Sequence, residues 1–195
     1  MTERMTDIAA VLRNGGVALV PTDTVYGLAV HPERDDAIDK LFALKRRPRA
    51  RNLPVQVAAV AEIKRLGVEI SDAAQRLLDA FFPGPLTVAL GVVNPPAWLA
   101  GRTEIAVRVP ADELMLALLK ETGPLLVTSA NLHAEATAES VPEILAALDG
   151  RPDAILDGGP RTVVPSTLVN CNLPTPRIER VGAIPPDAIE QVLSQ

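Results

Sequence analysis

Apolar positions recur along this chain with two alternating periodicities. In some segments they return about every three to four residues, which is typical of a helix with one buried face, and in others they form short runs typical of buried strands. Gly, Pro and Asn separate the two kinds of segment. The pattern predicts helices over residues 8–13, 35–45, 59–66, 71–81, 112–120 and 141–148 and from residue 185, and strands over residues 17–20, 54–58, 86–92, 104–109, 125–128, 154–156, 167–169 and 177–179.

This alternation of helices and strands predicts an α/β protein with helices packed on a sheet. The consecutive extended runs near residues 86–109 and 154–179 indicate some antiparallel pairing, so we expect a mixed sheet. No internal repeat, linker or low-complexity segment divides the chain. We therefore expect a single domain over residues 1–195.

One lysine falls on the apolar face of the helix predicted over residues 35–45. Ile38, Leu41 and Phe42 form the apolar stripe of this helix and, at about 100° per residue, Lys45 lies near the centre of the stripe. Lysine is rarely directed towards a protein core. Lys45 is therefore a candidate for a cation that faces a ligand.

Lys45 also begins a cluster of five cations in the seven residues up to Arg51, in a chain whose formal net charge is −5. The proline after Arg47 disfavours helix at that residue, so the cations beyond it lie on a loop that can turn back over the same opening. The alternative is a solvated turn whose charges complement the helix dipole. We give the two interpretations equal weight for Arg46 and Arg49.

A polar segment, residues 21–27, directly follows the first predicted strand. It carries the hydroxyls of Thr22, Thr24 and Tyr26 and the carboxylate of Asp23. Ligands of open α/β sheets bind beyond the carboxyl ends of strands, so these groups could hold a small polar molecule with an amine and a hydroxyl. The alternative, of equal weight, is a turn in which Asp23 and the threonines bond their own backbone.

Other polar residues lie at further strand ends. Ser129 and Asn131 follow the strand over residues 125–128, where small hydroxyl and amide groups could bind phosphate. Neither GxxxxGK[ST] nor GxGxxG occurs in the chain, so this is not a nucleotide-binding loop of either known type. Arg108, Ser166 and Arg180 also lie near strand ends, and each alone is a weak signal.

The composition narrows the class of protein. A pI of about 5.1 and an aromatic content of 3% argue against a nucleic-acid coat protein but permit a local basic pocket. His31 and His133 are far apart, so we predict no metal site. We expect no membrane association, because no apolar stretch reaches the length of a membrane span. A lone cysteine, Cys171, and the lack of a signal peptide fit a cytoplasmic protein.

Taken together and in order, eight segments over nearly the whole chain resemble the YrdC family, the threonylcarbamoyl-AMP synthases, and in length the chain resembles the short members of that family. The segments are Pro21-Thr22-Asp23-Thr24-Val25-Tyr26-Gly27-Leu28, Lys45-x-Arg47-Pro48, Phe82-Pro83-Gly84-Pro85-Leu86-Thr87, Ala106-Val107-Arg108-Val109-Pro110, Ser129-Ala130-Asn131, Ile155-Leu156-Asp157-Gly158-Gly159, Ser166-Thr167-Leu168-Val169 and Arg180-x-Gly182.

The resemblance implies a fold and a reaction. Members of the family have a twisted mixed α/β sheet around a basic cavity. They make L-threonylcarbamoyladenylate and pyrophosphate from L-threonine, bicarbonate and ATP, and Mg²⁺ is expected to arrive with ATP. A partner, the tRNA threonylcarbamoyl transferase, then modifies the adenosine beside the anticodon of tRNA. Some members are described as binding double-stranded RNA.

The resemblance also implies residue roles. Lys45 and Arg47 are expected to be the catalytic cations. The expected ATP contacts are Arg47, Arg51, Ser129, Asn131, Thr137 and Arg180, and the expected threonine contacts are Thr24, Tyr26, Gln56, Arg108, Val127 through its backbone, and Ser166. No residue is expected to bind a metal ion directly.

Three positions depart from the family pattern. Gln56 replaces a histidine of the threonine pocket, Ala134 replaces a glycine, and Glu104 stands where a threonine often contacts the nucleotide. These differences leave a second hypothesis open: a YciO-like paralogue that binds double-stranded RNA, tRNA or the ribosome and has little synthase activity.

Overall fold

The structure, a computed structural model, describes residues 2–48 and 53–195 of the 195-residue chain. Its α-helices are α1 (Thr2–Arg13), α2 (Asp35–Leu44), α3 (Val60–Ile63), α4 (Asp72–Phe81), α5 (Glu113–Thr122), α6 (Val141–Ala147) and α7 (Pro186–Leu193), with 3₁₀ turns at Lys64–Leu66 and Ala97–Leu99. Its strands are β1 (Ala18–Val20), β2 (Gly27–Val30), β3 (Val55–Gln56), β4 (Leu86–Gly91), β5 (Glu104–Arg108), β6 (Leu125–Ser129), β7 (Ala154–Ile155), β8 (Thr167–Asn170) and β9 (Arg177–Arg180).

Within the described residues these strands form one twisted sheet in the order β7-β1-β2-β6-β3-β5-β4-β8-β9. The pairs β1–β7, β3–β5 and β4–β8 are parallel, and the other neighbouring pairs are antiparallel. The structure therefore confirms the mixed α/β sheet with flanking helices. Because β3 runs parallel to β5 and antiparallel to β6, the carboxyl ends of β5 and β6 lie at opposite ends of the sheet.

Helices cover both faces of this sheet. Residues from α1 and α5 pack with Val20 and Leu125 on one face of the sheet. Residues from α2, α4, α6 and α7 pack with Leu19 and Leu126 on the other face. Neighbouring residues of one strand thus enter different cores, as the two-residue period of a strand requires. Buried on both faces, these strands read as the continuous apolar runs seen in the sequence.

The main difference from the predicted elements is β2, which the sequence pattern does not separate from the polar segment before it. This strand is only four residues long, and its place in the sheet depends on pairing with β1 and β6 rather than on local periodicity. The predicted helix boundaries hold where caps define them. Ser71 Oγ accepts a hydrogen bond from the Ala74 N–H at 3.2 Å, and Gly67 ends the turn before it with a φ of 67°.

Among the described residues, no helix combines the length and the apolar character that crossing a bilayer would take.

Candidate functional site

Lys45 lies buried at the end of α2, as its place on the apolar stripe predicts. It is 2% exposed. Its ammonium donates to the Ser129 carbonyl, to the Asn131 carbonyl at 2.6 Å and to Asn131 Oδ1 at 3.0 Å. In addition, the His133 N–H donates to the Lys45 carbonyl at 2.8 Å. Lys45 therefore joins α2 to the segment that follows β6.

The charge of Lys45 has no carboxylate partner among the described residues, because all three hydrogen bonds of its ammonium go to neutral oxygens. Burial lowers the pKa of Lys45 from its ordinary value of 10.5 to about 8, and the neighbouring charge of Arg47 also acts to lower it. A buried cation without an opposite charge is costly. This position would become favourable for the charged lysine when an anion binds beside it.

A reversal of the chain after α2 brings Arg47 to the same place. Arg46 adopts a left-handed conformation with a φ of 47°, and the Arg47 N–H donates to the Phe42 carbonyl at 3.0 Å. The Arg47 guanidinium lies 5.8 Å from the centre of the Phe42 ring and donates to Thr128 Oγ1 at 3.0 Å. Arg47 therefore contacts β6 at Thr128, the residue before Ser129.

Of the remaining cations of the cluster, one is exposed to solvent and two lie in the part of the chain that the structure does not describe. Arg46 is exposed and forms an ion pair with Asp149 at 2.8 Å, so it is the solvated member that one of the two interpretations expected. Arg49 and Arg51 lie outside the described residues. The expected ATP contact of Arg51 therefore stays a prediction.

The segment after β6 is held by its own side chains. Ser129 Oγ donates to Asn131 Oδ1 at 2.6 Å, and Asn131 Nδ2 donates to the Glu135 carbonyl at 2.6 Å. Ala134, within this turn, has a φ of 67°, a conformation that favours glycine. This turn therefore places an alanine in a backbone conformation that glycine adopts at lower cost. Thr137 is half-buried, and its hydroxyl donates to the Val163 carbonyl at 3.2 Å.

A second group of buried polar residues is centred on Arg108, at the end of β5. Its guanidinium donates to the Gly84 carbonyl at 3.1 Å, to Thr24 Oγ1 at 3.0 Å and to Asp23 Oδ1 at 2.6 Å. Burial lowers the pKa of Arg108, although the Asp23 carboxylate opposes this effect. The buried ion pair therefore holds the loop between β1 and β2 against the end of β5.

Gln56 and Val127 border this second group. Gln56 lies opposite Arg108 in the β3–β5 pair, and its Oε1 atom is buried without a hydrogen-bond partner among the described residues. The Val127 N–H already donates to the Pro54 carbonyl at 2.9 Å. A backbone contact from Val127 to a ligand would therefore have to use another atom.

The two threonines of the segment over residues 21–27 form hydrogen bonds within that segment. The alternative interpretation, a turn that bonds its own backbone, is therefore correct for Thr22. Thr22 Oγ1 donates to the Val25 carbonyl at 2.6 Å and lies 3.1 Å from Thr24 Oγ1. Thr162 Oγ1, from the loop before β8, donates to the Thr24 carbonyl at 3.2 Å. The segment is thus both a hydrogen-bonded turn and one wall of the Arg108 group.

Tyr26 is buried and ties the loop after β7 to this turn. Its hydroxyl lies 2.8 Å from the Gly159 carbonyl and 3.2 Å from Asp157 Oδ1, and it accepts from the Gly158 N–H at 3.0 Å. Burial is the main cause that raises the pKa of Tyr26. The hydroxyl is engaged within the protein, so the expected threonine contact of Tyr26 stays a prediction.

Arg180 and Ser166 meet at the amino-terminal end of β8. The Arg180 guanidinium donates to the Ser166 carbonyl and to Ser166 Oγ, both at 3.0 Å, and Thr87 Oγ1 lies 2.8 Å from the same Ser166 oxygen. Burial lowers the pKa of Arg180. The positive charge of Arg180 also acts on Arg108, so the two arginines lie within electrostatic reach of each other.

Glu104 is directed away from the cations. Its Oε2 atom accepts hydrogen bonds from the side-chain amides of Asn170 and Asn172, each at 3.1 Å. Glu104 begins β5, whereas Arg108 ends it, so the two residues lie at opposite ends of that strand. The carboxylate that departs from the family pattern is therefore held in an amide network.

Sequence reasoning missed the part played by the loop between β7 and β8. Arg161 in this loop forms a partly buried ion pair with Asp112 at 2.9 Å, and its guanidinium lies 5.9 Å from the centre of the Tyr26 ring. The only sequence signal for this loop was the family segment from Ile155 to Gly159. Periodicity does not indicate which loop contacts which strand.

The chain matches a family model, Sua5_yciO_yrdC, described as "Telomere recombination", over residues 10–182. It is 36% identical over 184 residues to the threonylcarbamoyl-AMP synthase of Halorhodospira halophila, covering 92% of each chain. It spans only about half, 55% and 56%, of the lengths of two other curated threonylcarbamoyl-AMP synthases that it matches.

Solved structures agree with this match. The structure of Pyrococcus abyssi Sua5 complexed with L-threonine superposes with a TM-score of 0.88 at 31% identity, over 96% of this chain and 56% of that chain. Escherichia coli YciO superposes with a TM-score of 0.85 at 27% identity, over 94% of this chain and 91% of that chain.

Proposed function

The chain belongs to the Sua5/YciO/YrdC family, and from this membership we propose that it is an L-threonylcarbamoyladenylate synthase, a nucleotidyltransferase. Its substrates would be L-threonine, bicarbonate and ATP, and its products threonylcarbamoyl-AMP and pyrophosphate. Several curated relatives carry the name threonylcarbamoyl-AMP synthase, and a solved relative binds L-threonine.

The observation that carries the proposal is the buried ammonium of Lys45, which has neutral oxygens as its only partners among the described residues and Arg47 as a cationic neighbour. The positive charge of Arg47 acts unfavourably on the buried charge of Lys45, and an anion bound beside Lys45 would offset this effect. The triphosphate of ATP is such an anion. Arginine adds a planar fork of donors that matches phosphate oxygens.

The two groups of polar residues suit two different substrates. We assign ATP to the side of Lys45, Arg47, Ser129 and Asn131, with Thr137, Arg180 and the undescribed Arg51 as further contacts. We assign L-threonine to the side of Arg108, with further contacts at Thr24, Tyr26, Gln56, Val127 and Ser166. Arg180 lies close enough to Arg108 to act on its pKa, so this expected ATP contact adjoins the L-threonine side.

In the proposed reaction, the amine of threonine first combines with bicarbonate to give threonine carbamate and water. A carbamate oxygen then attacks the α-phosphorus of ATP, the bond from that phosphorus to the bridging oxygen breaks, and pyrophosphate leaves with the electron pair. This step brings an anion towards an anion. Lys45 and Arg47 would offset the repulsion and the charge that develops on pyrophosphate.

The hydrogen bonds of Lys45 define what it would do in this step. All three of its donors hold the segment after β6. Lys45 would therefore act through its charge and by positioning Ser129 and Asn131, whereas Arg47 is the better candidate for direct contact with phosphate. Orientation of the short-lived carbamate beside ATP would supply much of the remaining rate enhancement.

Mg²⁺ would enter with ATP. Among the described residues, no group of three or more His, Cys, Asp and Glu side chains could hold a metal ion. The ion would therefore be held mainly by phosphate oxygens, where it neutralises charge on the leaving pyrophosphate.

We further propose that the product serves a tRNA threonylcarbamoyl transferase, which places the site of action in the cytoplasm. The hypothesis of a YciO-like RNA-binding paralogue with little synthase activity is not favoured, because a relative that the chain covers over 92% of its length is named a synthase. RNA binding would be an additional property of the protein.

Paired substitutions test the proposal. Pyrophosphate release is measured with ATP, L-threonine, bicarbonate and Mg²⁺ for Lys45→Ala and Arg47→Ala, and for the exposed controls Lys40→Ala and Arg46→Ala, whose surface ion pairs with Asp153 and Asp149 contribute little. We expect turnover to fall at least about 100-fold in the first pair and to change less than about threefold in the controls. Wild-type turnover in both buried-site variants would overturn the assignment of the cations.

A further inference from the structure

Two buried oxygen atoms in the Arg108 group lack a hydrogen-bond partner among the described residues. They are Asp23 Oδ2 and Gln56 Oε1. A buried acceptor without a donor costs free energy, and a carboxylate oxygen costs more than an amide oxygen. Unlike the nearby threonine hydroxyls, which can donate or accept, a carboxylate oxygen can only accept. The group therefore holds two acceptors that donors of a ligand could satisfy.

The Asp23 carboxylate contacts the Arg108 guanidinium, and Gln56 is the neighbour of Arg108 in the sheet. Asp23 Oδ1 accepts from Arg108 at 2.6 Å, with the two side chains 12% and 6% exposed. Gln56 and Arg108 are register partners in β3 and β5, so their side chains lie on the same face of the sheet. Three of the five N–H donors of Arg108 are used within the described residues.

A ligand that satisfies this site needs several donors beside a group that can accept from Arg108. We propose that Asp23 Oδ2 accepts from the α-ammonium of the amino acid that the proposed function assigns to the side of Arg108, and that Asp23 thereby selects a substrate with a charged amino group. The inference rests on the proposed function and deepens it, because it assigns the recognition of the amino group to Asp23. Gln56 Oε1 is a second acceptor for the same ammonium.

The ion pair of Asp23 with Arg108 explains why a carboxylate can stand in the site without an ammonium. Arg108 compensates the charge of Asp23 through Oδ1, and Oδ2 keeps its capacity for a further donor. The amino acid would add one charge of each sign, so the net charge of the site would not change on binding. A substrate analogue without the amino group would add only a negative charge and would leave Oδ2 unpaired.

The test measures the coupling between Asp23 and the amino group of the ligand. Calorimetric affinities are compared for L-threonine and for 3-hydroxybutanoate with the same configuration at the hydroxyl-bearing carbon. This analogue has a hydrogen in place of the ammonium, so it carries no positive charge there and has no donor for Asp23 Oδ2. The wild-type protein is expected to prefer L-threonine by about 10- to 100-fold, the range of a hydrogen bond to a charged group. In Asp23→Asn the preference should fall to within about threefold.

A matched control is available in Asp112, whose carboxylate is also buried in an arginine ion pair, with Arg161 at 2.9 Å. Asp112→Asn keeps an oxygen for the helix cap that Asp112 forms with the Met115 N–H. This variant should keep the wild-type preference for the amino group. Loss of the preference in Asp112→Asn as well as in Asp23→Asn would overturn the assignment, because it would show a general structural effect.

The outcomes separate this inference from the proposed function. Pyrophosphate release that depends on threonine, together with an undiminished amino-group preference in Asp23→Asn, overturns the role of Asp23 and leaves the synthase proposal standing. Failure of the wild-type protein to bind L-threonine overturns both. The wild-type comparison needs no variant, so equal affinities for the two ligands overturn the inference even if Asp23→Asn does not fold.

Discussion

Binding of ATP should be accompanied by uptake of a proton at Lys45. Burial and the charge of Arg47 lower the pKa of this lysine to about 8, so the ammonium is about half protonated at pH 8 in the free protein. A bound triphosphate favours the charged form and would raise the pKa back towards the ordinary value of 10.5. Binding at pH 8 should then take up about half a proton per site.

Calorimetry measures this uptake directly. Mg-ATP is titrated into the protein at pH 8 in two buffers of different ionisation enthalpy, and the difference in observed heat gives the number of protons exchanged. The uptake should fall towards zero at pH 6.5, where Lys45 is already charged in the free protein. It should also disappear in Lys45→Met, which keeps the length of the side chain without its charge.

The matched control is Lys40→Met, because Lys40 lies on the same helix but is exposed and paired with Asp153. This variant should keep the wild-type uptake. If ATP binds to the wild-type protein at pH 8 with no dependence of the heat on buffer, or if Lys45→Met keeps the full dependence, then the triphosphate does not bind beside Lys45 and the reasoning fails.

Three further predictions concern stability. The free energy of unfolding of the wild-type protein, relative to that of Lys45→Met, should rise by up to about 3 kcal/mol between pH 8 and 10.5 and stay flat below pH 7. The reason is that Lys45 keeps its proton up to a higher pH in the unfolded chain than in the folded protein. Urea titrations that show no rise would contradict this prediction. Ala134→Gly should increase the free energy of unfolding by about 0.5–1 kcal/mol, because φ is 67° at this residue, and a decrease would argue against the left-handed turn. Gly67→Ala should lower the free energy of unfolding by at least about 2 kcal/mol, because the added Cβ would lie 1.8 Å from the Asn94 carbonyl oxygen. The melting temperature should fall accordingly, and an unchanged melting temperature would show that this contact relaxes.

Features that depend on local periodicity could be predicted from the sequence. The buried position of Lys45 follows from its spacing to Leu41 and Phe42 in one helix, and the cap at Ser71 follows from the residue type and the helix after it. In both, the deciding interactions lie within about one or two helical turns. The family resemblance added the order of the motifs and the expected roles.

Features that depend on the order of strands could not be predicted in this way. Asp23 and Arg108 are 85 residues apart and meet only because the loop after β1 reaches the end of β5. Tyr26 and Asp157 are 131 residues apart, and no pattern in the sequence links the loop after β7 to the turn before β2. The strand β2 itself was not predicted, because its four residues take their place from two neighbouring strands.

In the proposed function, this chain joins L-threonine, bicarbonate and ATP into one adenylate. The most direct measurement incubates the purified protein with ¹³C-bicarbonate, L-threonine and Mg-ATP and follows the products by mass spectrometry together with pyrophosphate release. We expect threonylcarbamoyl-AMP that carries a single ¹³C atom, with one pyrophosphate for each adenylate formed and neither product when L-threonine is omitted. Pyrophosphate release without a labelled adenylate, or no pyrophosphate release from folded protein, would contradict the account.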